Sequence, residues 1–274
     1  SKVLPRSTPK PRQLIRTVLT CANTAKASKV SHPPHRNSQK NIPLRFASNS
    51  HRCAAGEMNE QIIQQTADYI RKEFSDDSSG HDWWHIYRVW KNAQHIASNE
   101  GGVDSLVVEL GALLHDIADS KFHNGDEEIG PKTARNYLTS LELPDSVVEH
   151  IENIVRHISF KGAIEGQKWT SPELAVVQDA DRLDAIGAIG IARTFNYGGH
   201  KGRGLYDPTI KPNLQMSKEE YKNSNAPTLN HFYEKLLLLK DLMNTKTGKE
   251  MAEGRHKFME EYLEQLYSEW EGKK

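Results

Sequence analysis

The sequence predicts an all-α fold of about eight helices, and three observations support this prediction. In the first helical segment, Ile63, Ala67, Ile70 and Phe74 recur at spacings near 3.6, which is the period of an amphipathic helix. Breaker-rich stretches, such as Asp-Asp-Ser-Ser-Gly at 76–80, separate one helical segment from the next. No alternation of apolar and polar residues long enough for a half-buried strand interrupts this pattern.

The helical segments follow one another along the whole body of the chain. They cover about residues 58–74, 83–98, 105–117, 128–142, 144–158, 172–195, 228–244 and 247–271. Pro144 and Pro172 suit first-turn positions, where a missing N–H costs nothing. The connections at about 118–127, 159–171 and 196–227 are long for a compact domain. We expect these connections to form walls of a functional site.

The first 55 residues differ in composition from the rest of the chain. They contain five Lys, six Arg and no acidic residue. Acid-free segments that contain Arg and Ser are typical of organelle transit peptides. We therefore predict a disordered targeting segment over residues 1–55, addressed to a mitochondrion or plastid, and a folded domain over residues 56–274. The alternative is a basic tail without a targeting role, in which case we expect a cytoplasmic protein.

Charge and hydropathy narrow the function of the predicted domain. Its 25 basic residues face 36 acidic ones, so residues 56–274 carry a net charge of −11. Such a surface repels nucleic-acid phosphates, and no apolar run approaches the roughly 20 residues that span a bilayer. Both cysteines, Cys21 and Cys53, precede residue 56, which excludes a disulfide or a cysteine-based zinc site from the domain. We expect neither nucleic acid nor a membrane as a partner.

Three of the predicted helices carry histidine and aspartate side chains of the types that bind metal ions. His85 lies early in the second helix, His115 and Asp116 end the third, and Asp181 lies within the sixth. Such mixed ligands suit Mn, Fe, Co, Ni or Zn, and they leave coordination positions for water and phosphate. We predict that these four residues bind one divalent metal ion. For any one of them taken alone, a satisfied core histidine or a solvent-facing aspartate is the alternative.

These segments resemble the HD superfamily of metal-dependent phosphohydrolases. The matching residues are His85, Arg88 and Val89 for H-x-x-R-V, Leu114, His115 and Asp116 for the apolar-H-D pair, and Ala180, Asp181 and Leu183 for A-D-x-L. The stretches 81–85, 179–188 and 231–236 are similar to a branch of small bacterial HD hydrolases that includes nucleotide pyrophosphohydrolases. This resemblance covers about residues 58–271 and implies an HD-domain helical bundle.

The choice between neighbouring ligands depends on two different arguments. Helix placement favours His85 over His81, which precedes the second helix. The family pattern favours Asp181 over Asp179, and a two-residue offset turns the side chain to another face of the helix. Mn²⁺ is the expected metal, with Mg²⁺, Co²⁺, Ni²⁺, Fe²⁺ or Zn²⁺ as alternatives.

Further residues around the metal have predicted roles, one from the resemblance and the others from their spacing and charge. In the related guanosine tetraphosphate hydrolases, an acid that acts with the attacking water stands where Asp119 stands here, so we predict this role for Asp119. Asp184 could accept a hydrogen bond from a ligand histidine, and Asp82 suits the N-cap of the second helix. Basic candidates for contact with the substrate are Arg88 and Lys121 at the reaction centre, and His157, Lys161, Arg193, His231 and Lys235 around it. Each of these charges, Asp119 included, could instead be a solvated surface group.

The implied reaction is hydrolysis of a phosphate ester or anhydride in a nucleotide. Conversion of a nucleoside triphosphate to the monophosphate and pyrophosphate is the first expectation, and a 5′-nucleotidase acting on deoxynucleoside monophosphates is the second. Phosphodiesterase action on cyclic nucleotides or guanosine tetraphosphate cleavage is the third. A di-iron HD-type oxygenase is an alternative that needs further histidine ligands, for which His123, His150 or His157 are available. A helical interaction module without catalysis is the remaining class. The expected partner is a phosphorylated small molecule, and we also predict a homodimer.

Overall fold

The structure is a computed structural model that describes residues 47–74, 82–118, 126–158, 169–215 and 224–274. Within these ranges all regular elements are helices and there is no strand, as predicted. The helices are α1 (Ala47–Glu73), α2 (Trp83–Asn99), α3 (Ser105–Leu114), α4 (Ile129–Ser140), α5 (Asp145–His157), α6 (Pro172–Asp184), α7 (Gly187–His200), α8 (Asn230–Glu234) and α9 (Lys246–Trp270), with a 3₁₀ helix (Leu236–Leu242) before α9.

Helices α2, α3 and α6 pack together at the centre of the domain. Helix α2 contacts both α3 and α6, and α3 also contacts α5 and α6. On α2 the residues at spacings of three and four, Ile86, Val89, Ala93 and Ile96, are fully buried. Helix α3 buries apolar residues on nearly every side, which is typical of a helix enclosed by others. The elements that carry the predicted metal ligands therefore belong to the core.

Local signals determine where two of these helices begin. The carboxylate of Asp82 accepts a hydrogen bond from the backbone N–H of His85 at 2.9 Å, so Asp82 is the N-cap of α2, as predicted. The hydroxyl of Ser171 accepts from the N–H of Leu174 at 3.0 Å, and Pro172 occupies the first turn of α6. Both caps satisfy N–H groups that the helix leaves without an intrahelical partner.

The predicted continuous helix over 172–195 is wrong, because α6 ends at Asp184 and α7 begins at Gly187. Gly187 has a φ of 75°, a left-handed conformation that glycine adopts at no steric cost and other residues avoid. The predicted helix over 228–244 is likewise divided into α8 and the 3₁₀ helix. Leu236 and Leu239, three residues apart, are both buried in the 3₁₀ helix, as expected for a helix with three residues per turn.

The first described helix begins earlier than expected. Because α1 starts at Ala47, the predicted boundary at residue 55 falls inside a helix. Residues 1–46 lie outside the described ranges, so the targeting role of the segment stays a prediction. Among the described residues, no helix combines the length and the apolar character needed to cross a membrane.

Candidate metal centre

The four predicted ligands meet where α2, α3 and α6 come together. Nε2 of His85 lies 3.3 Å from Nε2 of His115, 3.5 Å from Oδ2 of Asp116 and 3.6 Å from Oδ1 of Asp181. Nε2 of His115 lies 3.3 Å from the same Oδ2 of Asp116. Ligand atoms of His85, His115 and Asp116 all lie within 4.8 Å of one another. A single cation placed among them could contact both imidazoles and the carboxylates.

Hydrogen bonds orient both imidazole rings toward this point. Nδ1 of His85 lies 2.8 Å from Oδ2 of Asp184, and Nδ1 of His115 lies 2.8 Å from the carbonyl oxygen of Ala112. Both partners are acceptors, so each Nδ1 carries the proton and donates it. Each Nε2 then presents a lone pair, which is the arrangement that histidine ligands of metals usually have.

The acidic neighbours make this point favourable for positive charge. Burial by itself lowers the pKa of His85 and His115, but the carboxylates around each ring together outweigh it. Asp116, Asp184 and Asp181 raise the pKa of His85, and Asp116 and Asp181 raise the pKa of His115 to about 9. A divalent cation satisfies the same negative potential without protons on the imidazoles. The donor set of nitrogen and carboxylate oxygen atoms therefore fits a metal ion such as Mn²⁺, Fe²⁺, Co²⁺, Ni²⁺ or Zn²⁺.

One side of the cluster is open to solvent. The side chains of His85 and His115 are each 2% exposed, whereas Asp116 is 18% and Asp181 is 41% exposed. The two imidazoles thus lie on the buried side of the cluster, and the two carboxylates lie on the side that solvent can reach. This arrangement leaves room for water and a ligand at the cation, unlike a structural metal site that protein groups close completely.

Arg88 and Arg193, two predicted substrate contacts, both bind the carboxylate of Asp184, and their contact with a substrate stays a prediction. Nε of Arg88 donates to Oδ1 at 2.6 Å, and Nη2 of Arg88 donates to Oδ2 at 3.0 Å. Nη1 of Arg193 donates to Oδ2 at 2.6 Å and to the backbone carbonyl of Asp184 at 3.2 Å. Burial raises the pKa of Asp184, but the hydrogen bonds from His85 and Arg88 and the charge of Arg193 hold it far below its usual range. The predicted hydrogen bond from a ligand histidine to Asp184 is present.

The other predicted site residues have different positions. Asp119, Lys121 and Lys161 lie outside the described residues. His157, at the end of α5, contacts the carbonyl of Asn153 through Nδ1 at 2.9 Å, and its ring packs against Trp169.

His231 and Lys235 lie in and just after α8. Burial, Lys235 and Arg203 together lower the pKa of His231 to about 4. His157, His231 and Lys235 are not among the residues that form the metal cluster. Their predicted contacts with substrate stay predictions.

Sequence analysis did not identify one residue that supports this region. Arg255, on α9, donates a hydrogen bond to the backbone carbonyl of Leu183 and another to Oδ1 of Asn92 at 3.0 Å. Nδ2 of Asn92 in turn donates to the carbonyl of Ala180 at 3.2 Å. These bonds hold the end of α6, which carries Asp181 and Asp184, against α2. Arg255 is remote in sequence from its partners and belongs to no local motif.

Comparison with known proteins is consistent with this geometry. The model of the HD domain matches residues 83–186, a span that includes all four predicted ligands. The protein YpgQ of Bacillus subtilis is 37% identical over 213 residues, which cover 74% of this chain and 91% of YpgQ.

Solved structures give the same result. An HD-superfamily hydrolase from Bacillus thuringiensis is 44% identical, with a TM-score of 0.63 over 78% of this chain and 98% of that chain. The structure of B. subtilis YpgQ in complex with ADP is 36% identical, with a TM-score of 0.59 over 76% of this chain and 97% of YpgQ. The chain therefore belongs to the HD superfamily and is a metal-dependent phosphohydrolase of the small bacterial type.

Proposed function

We propose that this protein hydrolyses nucleoside triphosphates to the monophosphate and pyrophosphate. The observation that carries this proposal is the solvent-accessible side of the predicted metal site. A phosphate chain could reach a cation from this side, which Asp116 and Asp181 border. The ADP complex of YpgQ supports a nucleotide as the ligand, since that relative shares the fold over 97% of its length. The net charge of −11 in residues 56–274 makes a local cation necessary for holding an anionic substrate.

The residues of the chain would divide the work in the following way. His85 and His115 would hold the cation through Nε2, and Asp116 and Asp181 would hold it through carboxylate oxygens. The bound cation would neutralise charge on the phosphate and make a water molecule more acidic. Asp119 is proposed to orient the attacking water.

Basic side chains are proposed to hold the phosphates and the rest of the nucleotide. Lys121 would contact a phosphate near the reaction centre. The more distant candidates are His157, Lys161, His231 and Lys235.

The reaction can be tested by the products that the full chain releases. Purified protein is supplied with nucleoside triphosphates in Mn²⁺, Mg²⁺, Co²⁺ or Ni²⁺, and pyrophosphate and phosphate are quantified separately. Equal amounts of monophosphate and pyrophosphate are expected, with Mn²⁺ the most effective metal. A His115→Ala variant purified in the same way controls for contaminating phosphatases.

The same assay separates the alternatives. Phosphate release from deoxynucleoside monophosphates, without turnover of triphosphates, would identify a 5′-nucleotidase. Two bound irons with oxygen consumption would identify an oxygenase. Absence of turnover with every nucleotide and every metal would contradict the proposed hydrolysis.

We further propose that residues 1–55 address the protein to a mitochondrion or plastid, and that the protein is a homodimer. Residues 1–55 fused to a fluorescent protein should label one organelle, and a diffuse cytosolic signal would contradict the first proposal. Light scattering on the eluting protein should give twice the mass of the chain, 31.0 kDa. A monomeric mass would contradict the second.

A further inference from the structure

We propose that Asp184 is a positioning residue of the metal centre, and that Arg88 and Arg193 act through Asp184 rather than on the substrate. This inference rests on the proposed metal site and deepens it. It assigns the two arginines to the control of metal affinity, whereas sequence analysis predicted that both contact the substrate.

The hydrogen bonds of Asp184 leave its carboxylate little freedom. Oδ2 accepts from His85, Arg88 and Arg193, and Oδ1 accepts from Arg88. A carboxylate offers about four acceptor positions, and these four bonds match that number, with three of them at Oδ2. The side chain is only 2% exposed, so water does not compete. The orientation of the carboxylate, and with it that of the His85 ring, is determined by the two guanidinium groups.

The two arginines reach Asp184 from different helices. Arg88 lies one turn after His85 on α2, so both side chains project from the same face of that helix. Arg193 comes from α7, and its second bond, to the backbone carbonyl of Asp184, ties α7 to the end of α6. A ligand of the metal is thereby connected through one carboxylate to the packing of three helices.

Energetics favour a positioning role over phosphate binding for these arginines. Both make hydrogen bonds of 2.6 Å to a buried carboxylate, and charge-assisted bonds of this kind are about twice as strong as neutral ones. To turn its whole guanidinium toward a phosphate, either arginine would have to leave Asp184 with less compensation in a buried place, which is strongly unfavourable. Their side chains are 30% and 31% exposed, so each is mostly enclosed where it already binds.

The effect on the metal follows from the bond between Asp184 and His85. A carboxylate that accepts the Nδ1 proton makes the opposite nitrogen, Nε2, a better electron donor and holds the ring in the ligand orientation. Loss of such a partner typically weakens metal binding by about 10–100-fold. Loss of one arginine should have a smaller effect, because the other still holds the carboxylate.

The test measures metal affinity and substrate affinity separately in the full chain. Asp184→Asn is expected to raise the calorimetric Kd for Mn²⁺ by about 10–100-fold and to change the visible absorption spectrum of bound Co²⁺. Arg88→Met and Arg193→Met are expected to raise the same Kd several-fold, with the nucleotide KM at saturating metal within about twofold of the wild type. Arg193→Lys should recover part of the metal affinity that Arg193→Met loses.

Asp179→Asn is the matched control, because Asp179 is an equally buried carboxylate on the same helix that accepts its hydrogen bonds from Asn244 and Thr245. It should lower the melting temperature without changing the Kd for Mn²⁺. If Asp184→Asn only lowers the melting temperature as well, Asp184 is a structural anchor and the inference is wrong. A large rise in KM with an unchanged metal Kd in the arginine variants would assign them to the substrate and also overturn it.

These outcomes are independent of which substrate is correct. A wild-type protein that binds Mn²⁺ but hydrolyses no nucleotide contradicts the proposed function, while the metal affinities still decide the role of Asp184. A wild-type protein that binds none of the divalent metals overturns both. If the wild type is active and Asp184→Asn leaves the Kd for Mn²⁺ unchanged, only the inference is overturned.

Discussion

Two buried carboxylates on helix α6 have pKa values that are shifted in opposite directions. Asp179 and Asp184 are separated by five residues, which is about 140° around a helix, and both are almost completely buried. Asp179 faces the N-terminus of α9, where the backbone N–H groups of Asn244 and Thr245 donate to it at 2.7–3.0 Å. Asp184 faces the metal centre and accepts from His85, Arg88 and Arg193.

The difference in partners accounts for the difference in pKa. Burial raises the pKa of Asp179, and the hydrogen bonds of Thr245 and Asn244 with the charge of Arg182 do not offset it. The pKa of Asp184 is lowered, because charged donors outweigh the same burial. Asp179 is held mainly by neutral N–H and hydroxyl donors, whereas Asp184 is held by charged donors beside a predicted metal ligand. Helix α6 thus has an anchor face, which carries Asp179 and binds the start of α9, and a site face, which carries Asp184 and borders the metal centre.

The largest expected effect concerns the metal centre, which Asp184 of α6 borders. His115→Ala removes a nitrogen ligand, so we expect kcat/KM to fall by at least about 1,000-fold, with loss of stoichiometric Mn²⁺ binding in calorimetry. The change in unfolding free energy without metal should be much smaller than the change in activation free energy. His95→Ala is the matched control, because His95 is an exposed histidine on α2. Retention of more than a tenth of the activity by His115→Ala would contradict the proposed ligand.

The anchor face should respond in stability rather than in activity. Asp179→Ala leaves the N–H groups of Asn244 and Thr245 without their acceptor, and the free energy of unfolding should fall by about 3 kcal/mol. Urea denaturation measures this loss, and kcat is measured where the variant is still folded. Turnover should stay within about threefold of the wild type. A loss of turnover like that of His115→Ala, at unchanged stability, would mean that the two faces are not separate.

Two glycines on α9 test how closely this helix contacts Asp179. A Cβ at Gly248 would collide with the carboxylate of Asp179 and the hydroxyl of Thr245, whereas a Cβ at Gly254 would meet no atom within 4 Å. We expect Gly248→Ala to destabilise the protein by about 2 kcal/mol and Gly254→Ala to stabilise it by about 0.5–1 kcal/mol. Thermal and urea unfolding of both variants check this contrast. Equal effects of the two substitutions would show that Asp179 and α9 are not in close contact.

The smallest expected effect concerns His231, a largely enclosed histidine whose neighbours Lys235 and Arg203 are both positively charged. Burial, Lys235 and Arg203 lower the pKa of His231 to about 4 in the folded protein, from an ordinary value of 6.5. The unfolded chain therefore binds more protons between these values, so the contribution of neutral His231 is complete above pH 6.5 and is lost as the pH falls toward 4. His231→Gln should reduce the loss of stability between pH 6.5 and 4.5, measured as urea midpoints. Identical pH profiles of variant and wild type would contradict the lowered pKa.

Much of the architecture could be predicted from local patterns. The apolar period of 3.6 identified the helical segments, and Asp82 and Pro172 marked where α2 and α6 begin. The order of His85, the His115-Asp116 pair and Asp181, with their flanking apolar residues, identified the ligands that the structure brings together. These features are short-range, since capping and helical periodicity depend on residues within a few positions of each other.

The contacts that the sequence did not predict involve packing between distant parts of the chain. The break at Gly187 depends on a left-handed backbone conformation that an apolar pattern does not reveal. The basic character of Arg88 and Arg193 suggested phosphate contacts, but the sequence contains no sign that both side chains converge on Asp184. A charged side chain takes the nearest opposite charge that packing provides, and that partner can come from any helix.

By itself the sequence therefore determined the all-α class and the superfamily, and it predicted four metal ligands, because each depends on periodicity or on a short motif. The bond between Asp184 and a ligand histidine was predicted, but only the tertiary structure decided which other donors hold each acid of α6. Asn244 and Thr245 hold Asp179, and Arg88 and Arg193 hold Asp184. The physical reason is that burial makes any charged carboxylate costly, and the direction in which its pKa shifts depends on donors that folding brings from distant parts of the chain.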